Sequence, residues 1–302
     1  MLPGPAADAG SSRGRAQSLV CEAPTDSDDP YWAFYEEVAV AQLREWLPAR
    51  PGRVLDVSGP RARFARQMVG AGHQVVRVVT DADPTDLRDR AGVKPGSGLA
   101  GTGAPAGGGG LARSGGAGGG RSGSNGGGVS GGALRPVVGD ARSLDWFRPR
   151  SFDAVLAEAR ALSFCLATET TLEQIHRMLR PGGQLLLCVD SLLLGLARLA
   201  EQHRWAELSD VPRADVVLVP ADDGTITRCF WPEELHALLA SAGFEVDWIR
   251  PRTVLSAEAV TRALAEDVSC FPTLVRTEVE LAAEREGESI GIHLIASARR
   301  PR

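Results

Sequence analysis

Along most of the chain, apolar residues switch between helical spacing and short unbroken runs, and that switching predicts a fold. Tyr31, Trp32, Phe34, Tyr35, Val38, Leu43 and Trp46 fall at the three-to-four-residue spacing of one helix face. Asp29 and Pro30 supply a cap and a first-turn proline, so a helix is expected from Pro30 to about Leu47. Residues 53–57 read as a short buried strand between Pro51-Gly52 and Ser58-Gly59. A helix presenting Phe64, Met68 and Val69 follows and stops at Gly72, and 74–79 form a second strand. Strand, helix and strand joined by short loops make a parallel βαβ unit.

The same pattern returns after a gap. Residues 135–138 and 152–157 read as strands, 168–179 as a helix stopped by Pro181-Gly182-Gly183, and 184–189 as a fully apolar strand. Helices are expected over 192–207 and 232–242, the second opened by Trp231-Pro232-Glu233-Glu234 and closed by Gly243. Strands near 244–249 and 291–298 complete the sheet. Such alternation predicts an α/β protein with a doubly wound, mostly parallel sheet.

The gap itself, 92–133, holds 20 of the chain's 35 glycines and too few apolar residues for a core. It is expected to be a disordered, flexible insertion, whose closure costs about 3 kcal/mol. A substrate lid and a tolerated surface expansion are both open readings; the expansion asks less of the sequence, and it makes the tract dispensable for folding. Residues 1–28 are small, polar and aperiodic, and read as a disordered tail. One domain is therefore expected over 29–302, interrupted by 92–133.

Composition narrows the function. A net charge of −5 offers no clustered basic surface, so no nucleic-acid partner is expected. Lys94 is the sole lysine among 33 cationic side chains, an arginine excess that reads as genomic GC content. The five cysteines are widely spaced without a CxxC pair, which argues against a disulfide framework or zinc site and for reduced thiols in a cytoplasmic protein. The longest apolar run, 191–200, is broken by Gly195 and Arg198 and is too short for a bilayer, so no membrane partner is expected.

In a doubly wound sheet the ligand lies outside the carboxyl ends of the strands, which singles out loops 56–62, 80–84, 139–145 and 157–162. Asp56 ends the first strand, and the helix start beyond Ser58-Gly59 can hold a carboxylate on its free N–H groups; a plain strand-to-helix turn has the same sequence. Past the second strand, Asp81 suits a ribose diol, and Asp83 before Pro84 suits a helix cap. Asp140 can accept an adenine amino proton, with Ala141 and Leu144 beside the ring, but taken alone this stretch reads more simply as an ordinary polar loop acid. Glu158, at the end of the fourth strand, is a candidate to position an acceptor amine or hydroxyl, and His203 is a candidate base. His176 and His236 sit in amphipathic helices and read as structural. The Tyr31–Tyr35 aromatics, which include both tyrosines of the chain, either roof the ligand or dock the first helix on the sheet.

Three stretches occur in order: Arg53-Val-Leu-Asp-Val57, Gly139-Asp-Ala through Phe152-Asp-Ala-Val155, and Met178-Leu-Arg-Pro-Gly-Gly-Gln-Leu-Leu-Leu187. Together they resemble the class I S-adenosylmethionine-dependent methyltransferases over about 50–190, and more loosely over 230–246. The resemblance implies a Rossmann-like, seven-stranded sheet with an antiparallel last strand. It also implies an S-adenosyl-L-methionine cofactor held by Asp56, Ser58, Gly59, Asp81, Asp140 and Ala141, and a small-molecule methyl acceptor. The family's first loop usually reads Asp-x-Gly-x-Gly-x-Gly; here Ser58, Pro60 and Ala62 stand at the glycine positions, and side chains there crowd a ligand. A binding or regulatory protein that keeps the fold without turnover is the alternative. A nicotinamide enzyme is disfavoured, because no G-x-G-x-x-G follows the first strand.

Overall fold

In a computed structural model, residues 30–59, 64–79, 132–140, 143–214, 216–220, 224–288 and 290–302 are described. Asp81, Asp83, Ala141, Pro60 and Ala62 lie outside them, as do the 1–28 tail and nearly all of the glycine-rich tract.

Valine- and leucine-rich runs bounded by turn residues form the strands. β1 (Arg53–Asp56) pairs in parallel with β2 (Gln74–Val79) on one side and β4 (Phe152–Ala157) on the other. β3 (Ala133–Val138) adds outside β2, in register from Gln74↔Ala133 to Val79↔Val138. β5 (Leu179–Ser191) follows β4, then the antiparallel β9 (His293–Arg299) and β8 (Glu245–Pro251). The main order is thus β3-β2-β1-β4-β5-β9-β8, the expected seven strands with the last antiparallel. A hairpin, β6 (Val217–Pro220) and β7 (Ile226–Phe230), extends the sheet by pairing β7 with Asp190 and Ser191 at the end of β5.

Alternation along the strands sorts side chains onto two faces. Leu55, Val76, Val155, Leu185 and Leu187 pack with Leu172, Ile175 and Met178 of α3 (Thr168–Met178) and with Leu235 and Leu239 of α6 (Pro232–Ser241). Their neighbours Val54, Val75, Ala154 and Leu186 face the other way, against Leu43 and Trp46 of α1 (Pro30–Trp46) and Met68 of α2 (Ala65–Gly70). The first half of α1 instead packs through Trp32, Phe34 and Val38 on α7 (Ala257–Glu266) and α8 (Phe271–Glu284), two helices between β8 and β9. Each fully buried Leu or Phe in these layers stabilises the fold by about 1.5–3 kcal/mol.

Several boundaries depart from expectation. β3 begins at Ala133 rather than 135, and β5 runs through Pro181-Gly182-Gly183, which does not act as a loop. Gly183 is required there: a Cβ would come within 2.9 Å of the Arg180 carbonyl oxygen. The helix expected over 192–207 is two, α4 (Leu192–Glu201) and α5 (Trp205–Asp210). His203, at φ +57°, ends α4: its N–H bonds the Ala200 oxygen and the Arg204 N–H bonds the Leu199 oxygen. The hairpin and the α7–α8 pair had no expected counterpart. None of the described helices is long and apolar enough to cross a membrane.

Candidate functional site at the carboxyl edge of the sheet

The parallel strands deliver Asp56, Asp140, Glu158 and Asp190 to one edge of the sheet. Arg252, just past β8, and His293, which starts the antiparallel β9 opposite Asp190, reach the same edge. Apart from Asp140, these residues are buried.

Asp56 organises the loop after β1. Its Oδ1 accepts the Ser58 N–H at 3.0 Å, while Oδ2 makes no hydrogen bond among the described residues and lies 4.0 Å from Arg77 Nε. Burial raises the Asp56 carboxyl above the ordinary carboxylate range, against the Ser58 hydrogen bonds and the Arg77 charge. The Ser58 hydroxyl is turned toward β4, where it accepts the Glu158 N–H at 2.8 Å. Gly59 adopts φ +75°, its oxygen accepts from Arg77 Nη2 at 3.2 Å, and a Cβ built on it would meet no atom of the described residues within 4 Å.

Beyond β4 the backbone turns through two consecutive left-handed residues without a glycine, Ala159 (φ 54°) and Arg160 (φ 63°). Each such residue costs of order 1–3 kcal/mol unless its surroundings fix it. Here the Arg160 guanidinium forks onto Asp190, Nε to Oδ1 and Nη2 to Oδ2, and its charge lies 4.9 Å from the Phe164 ring. Asp190 is further held by a Ser163 hydroxyl on its N–H at 2.8 Å and by Arg198 Nη1 at 3.6 Å.

Two more pairs complete the edge. Glu158 Oε1 accepts from Arg252 Nη2 at 2.5 Å, and Arg252 Nη1 donates to Gln42 Oε1 at 2.7 Å. The Tyr35 hydroxyl lies 2.6 Å from His293 Nδ1, and His293 Nε2 is 3.5 Å from Asp190 Oδ1. Burial, followed by the charges of Arg160, Arg252 and Arg198, holds His293 well below the ordinary histidine value, so the imidazole is neutral. Burial raises the Tyr35 phenol, which keeps its proton and donates it to Nδ1. Cys188, near Arg252, is pushed up to about 11 by burial and stays a thiol.

Residues 123–187 match the family model described as a methyltransferase domain. Among solved structures, a SAM-dependent methyltransferase of Methanosarcina mazei superposes at TM-score 0.50 and 17% identity, covering 86% of this chain and 97% of its own. A Listeria monocytogenes protein assigned to the same class gives 0.51 at 10% identity, covering 88% and 100%. This is the class I methyltransferase fold. No curated protein matches the chain.

On this methyltransferase fold, the expected site residues divide. Asp56, Ser58, Gly59, Asp140 and Glu158 lie together along the carboxyl edge. Asp81 and Ala141 fall outside the described residues. His203 is exposed, packs edge-on to Trp205 and ends α4, and among the described residues no hydrogen bond joins it to Glu158. Among the other histidines, His176 packs edge-on to Phe244 and His73 Nδ1 accepts the Gly52 N–H, both structural roles. In α1, Leu43 and Trp46 dock the helix on the sheet, Trp32 and Phe34 pack on α7 and α8, and Tyr31 bonds Thr253 while Tyr35 bonds His293 at the edge.

Sequence reasoning missed Arg160, Asp190, Arg252 and His293. Asp190 alone carried a signal, as the acid closing the most apolar run. Arg252 and His293 are brought in by strands that pair 40 or more residues apart in the chain, and no local pattern announces that.

Proposed function

We propose that this protein transfers the methyl group of S-adenosyl-L-methionine to a small-molecule acceptor bound under α1. The observation that carries the reading is the β1 loop: an acid at the strand end, a left-handed glycine, and a tie to β4, all at the edge where doubly wound sheets bind ligands. The loop fits the cofactor because, among the described residues, the Asp56 Oδ2 acceptor makes no hydrogen bond and nothing lies within 4 Å of a Cβ built on Gly59.

In this reading Asp56, Ser58 and Gly59 hold the methionine end, Asp81 the ribose, and Asp140 with Ala141 the adenine. Bound there, the cofactor supplies an electrophilic methyl group on a sulfonium. The chain's part is chiefly orientation, because aligning the acceptor atom with that methyl supplies much of the rate. Glu158 acts as a positioning residue: its carboxylate is committed to Arg252, and its N–H to Ser58. Proton removal falls to Tyr35 and His293. The phenol oxygen accepts a hydrogen bond from the acceptor at the roof, and as it takes the acceptor's proton its own passes to the neutral His293 Nδ1. His203 has no role in this scheme.

Calorimetric titration with S-adenosylmethionine, followed by a screen for labelled product from a cell extract given isotopically labelled cofactor, tests the reading. Binding at one site and a methylated small molecule are expected. Absence of binding would overturn it; tight binding without any product would favour the non-catalytic alternative.

A further inference from the structure

A cavity of about 400 Å³ opens between α1, α8 and the β8–β9 strands, away from the residues assigned above. Its size lies in the range of small-molecule sites, about 300–1,000 Å³. Trp46 and Trp248 supply two indole walls; the polar lining is Gln42, Gln184 and Ser297, the guanidinium groups of Arg250 and Arg299, and the carboxylates of Asp247 and the solvent-exposed Glu45.

The polar groups are unequally occupied. Asp247 is saturated, with Oδ2 accepting from the Ser297 hydroxyl at 3.2 Å and Oδ1 lying 3.1 Å from Arg299 Nη1. The Gln42 amide is spent on Arg252, in both directions, and so walls the cavity off from the Glu158 pair. The donors are not saturated. Trp46 is 8% exposed and its Nε1–H has no hydrogen-bond partner among the described residues; the buried Nε–H of Arg250 has none there either. The Arg250 guanidinium lies 4.4 Å over the Trp248 ring, keeps 24% of its side chain accessible, and among the described residues touches one acid, Glu286, at 3.5 Å. Two indoles and an under-used guanidinium call for a flat ring system bearing an anionic acceptor.

We propose that this cavity is a second binding site, for a planar aromatic carboxylate of about two fused rings. The rings lie against Trp46 and Trp248, and the carboxylate sits on the Arg250 guanidinium. The site does not depend on methyl transfer at the carboxyl edge.

Calorimetry of the full chain with 2-naphthoate tests this. One-to-one binding is expected, about 10- to 100-fold weaker for 2-naphthalenemethanol, which lacks the charge. Arg250→Gln should weaken naphthoate by a similar factor. Ala283→Phe, which fills the mouth from an exposed helix position without touching the core, should abolish binding at an unchanged melting temperature. Tyr35→Phe, at the other site, should leave it unaltered. No saturable binding, binding that survives Ala283→Phe, or competition by S-adenosylhomocysteine would overturn the proposal.

Discussion

The Ser58 hydroxyl accepts the backbone N–H of Glu158 at 2.8 Å, so the loop leaving β1 is fastened to the end of β4. A side chain at this glycine position was expected to crowd the cofactor; it is instead directed across the sheet. Ser58→Ala leaves a buried N–H without its acceptor. The variant should lose about 1–3 kcal/mol in urea unfolding and bind S-adenosylmethionine more weakly. Ser58→Gly should not tighten binding. A glycine variant that binds more tightly than the parent would restore the crowding interpretation.

The Glu158–Arg252 pair is nearly inaccessible, at 4% and 1% side-chain exposure. Glu158→Leu strands the arginine charge and should destabilise by about 3–5 kcal/mol. Combining it with Arg252→Met removes both charges and should recover much of that loss. A double variant no more stable than Glu158→Leu would mean that the pair matters for something other than mutual neutralisation.

Tyr35→Phe removes the hydroxyl that bonds His293 Nδ1 and leaves the ring packing in place. Stability should fall by only about 1 kcal/mol. Turnover should fall about 100-fold or more, with the cofactor Kd unchanged, since the tyrosine stands on the acceptor side. Equal turnover in the variant would exclude Tyr35 from proton handling.

His293 sets a pH dependence. Its folded value is depressed, so below the ordinary value of about 6.5 the unfolded chain takes up a proton that the folded chain refuses. This stability is fully present above pH ~6.5 and is lost as pH falls toward the folded value, by at most about 1.4 kcal/mol per pH unit. Asp56 acts oppositely: its raised value favours the folded, protonated form in acid. Comparing the parent with His293→Gln cancels that contribution. Between pH 6.5 and 5 the variant's stability should fall less steeply; parallel curves would mean that His293 charges freely in the fold.

By itself the sequence determined the layered α/β architecture, because burial on both faces demands unbroken apolar strands and burial on one face demands helical spacing. It placed β2 and β4 with their observed bounds and drew attention to Asp56, Ser58, Gly59, Asp140 and Glu158, since a strand's carboxyl end is a local feature of the chain. Tertiary structure alone decided what those residues do. Ser58 turned from an obstruction into a fastening because β4 lies beside β1, and Glu158 turned from a free acid into an ion-pair partner because β8 returns Arg252 to its side. Asp190 and His293 face one another through antiparallel pairing across 103 residues. The left-handed turn at Ala159-Arg160 has no glycine to mark it; it is held by the fork of Arg160 on Asp190, a contact that exists only once the sheet has formed.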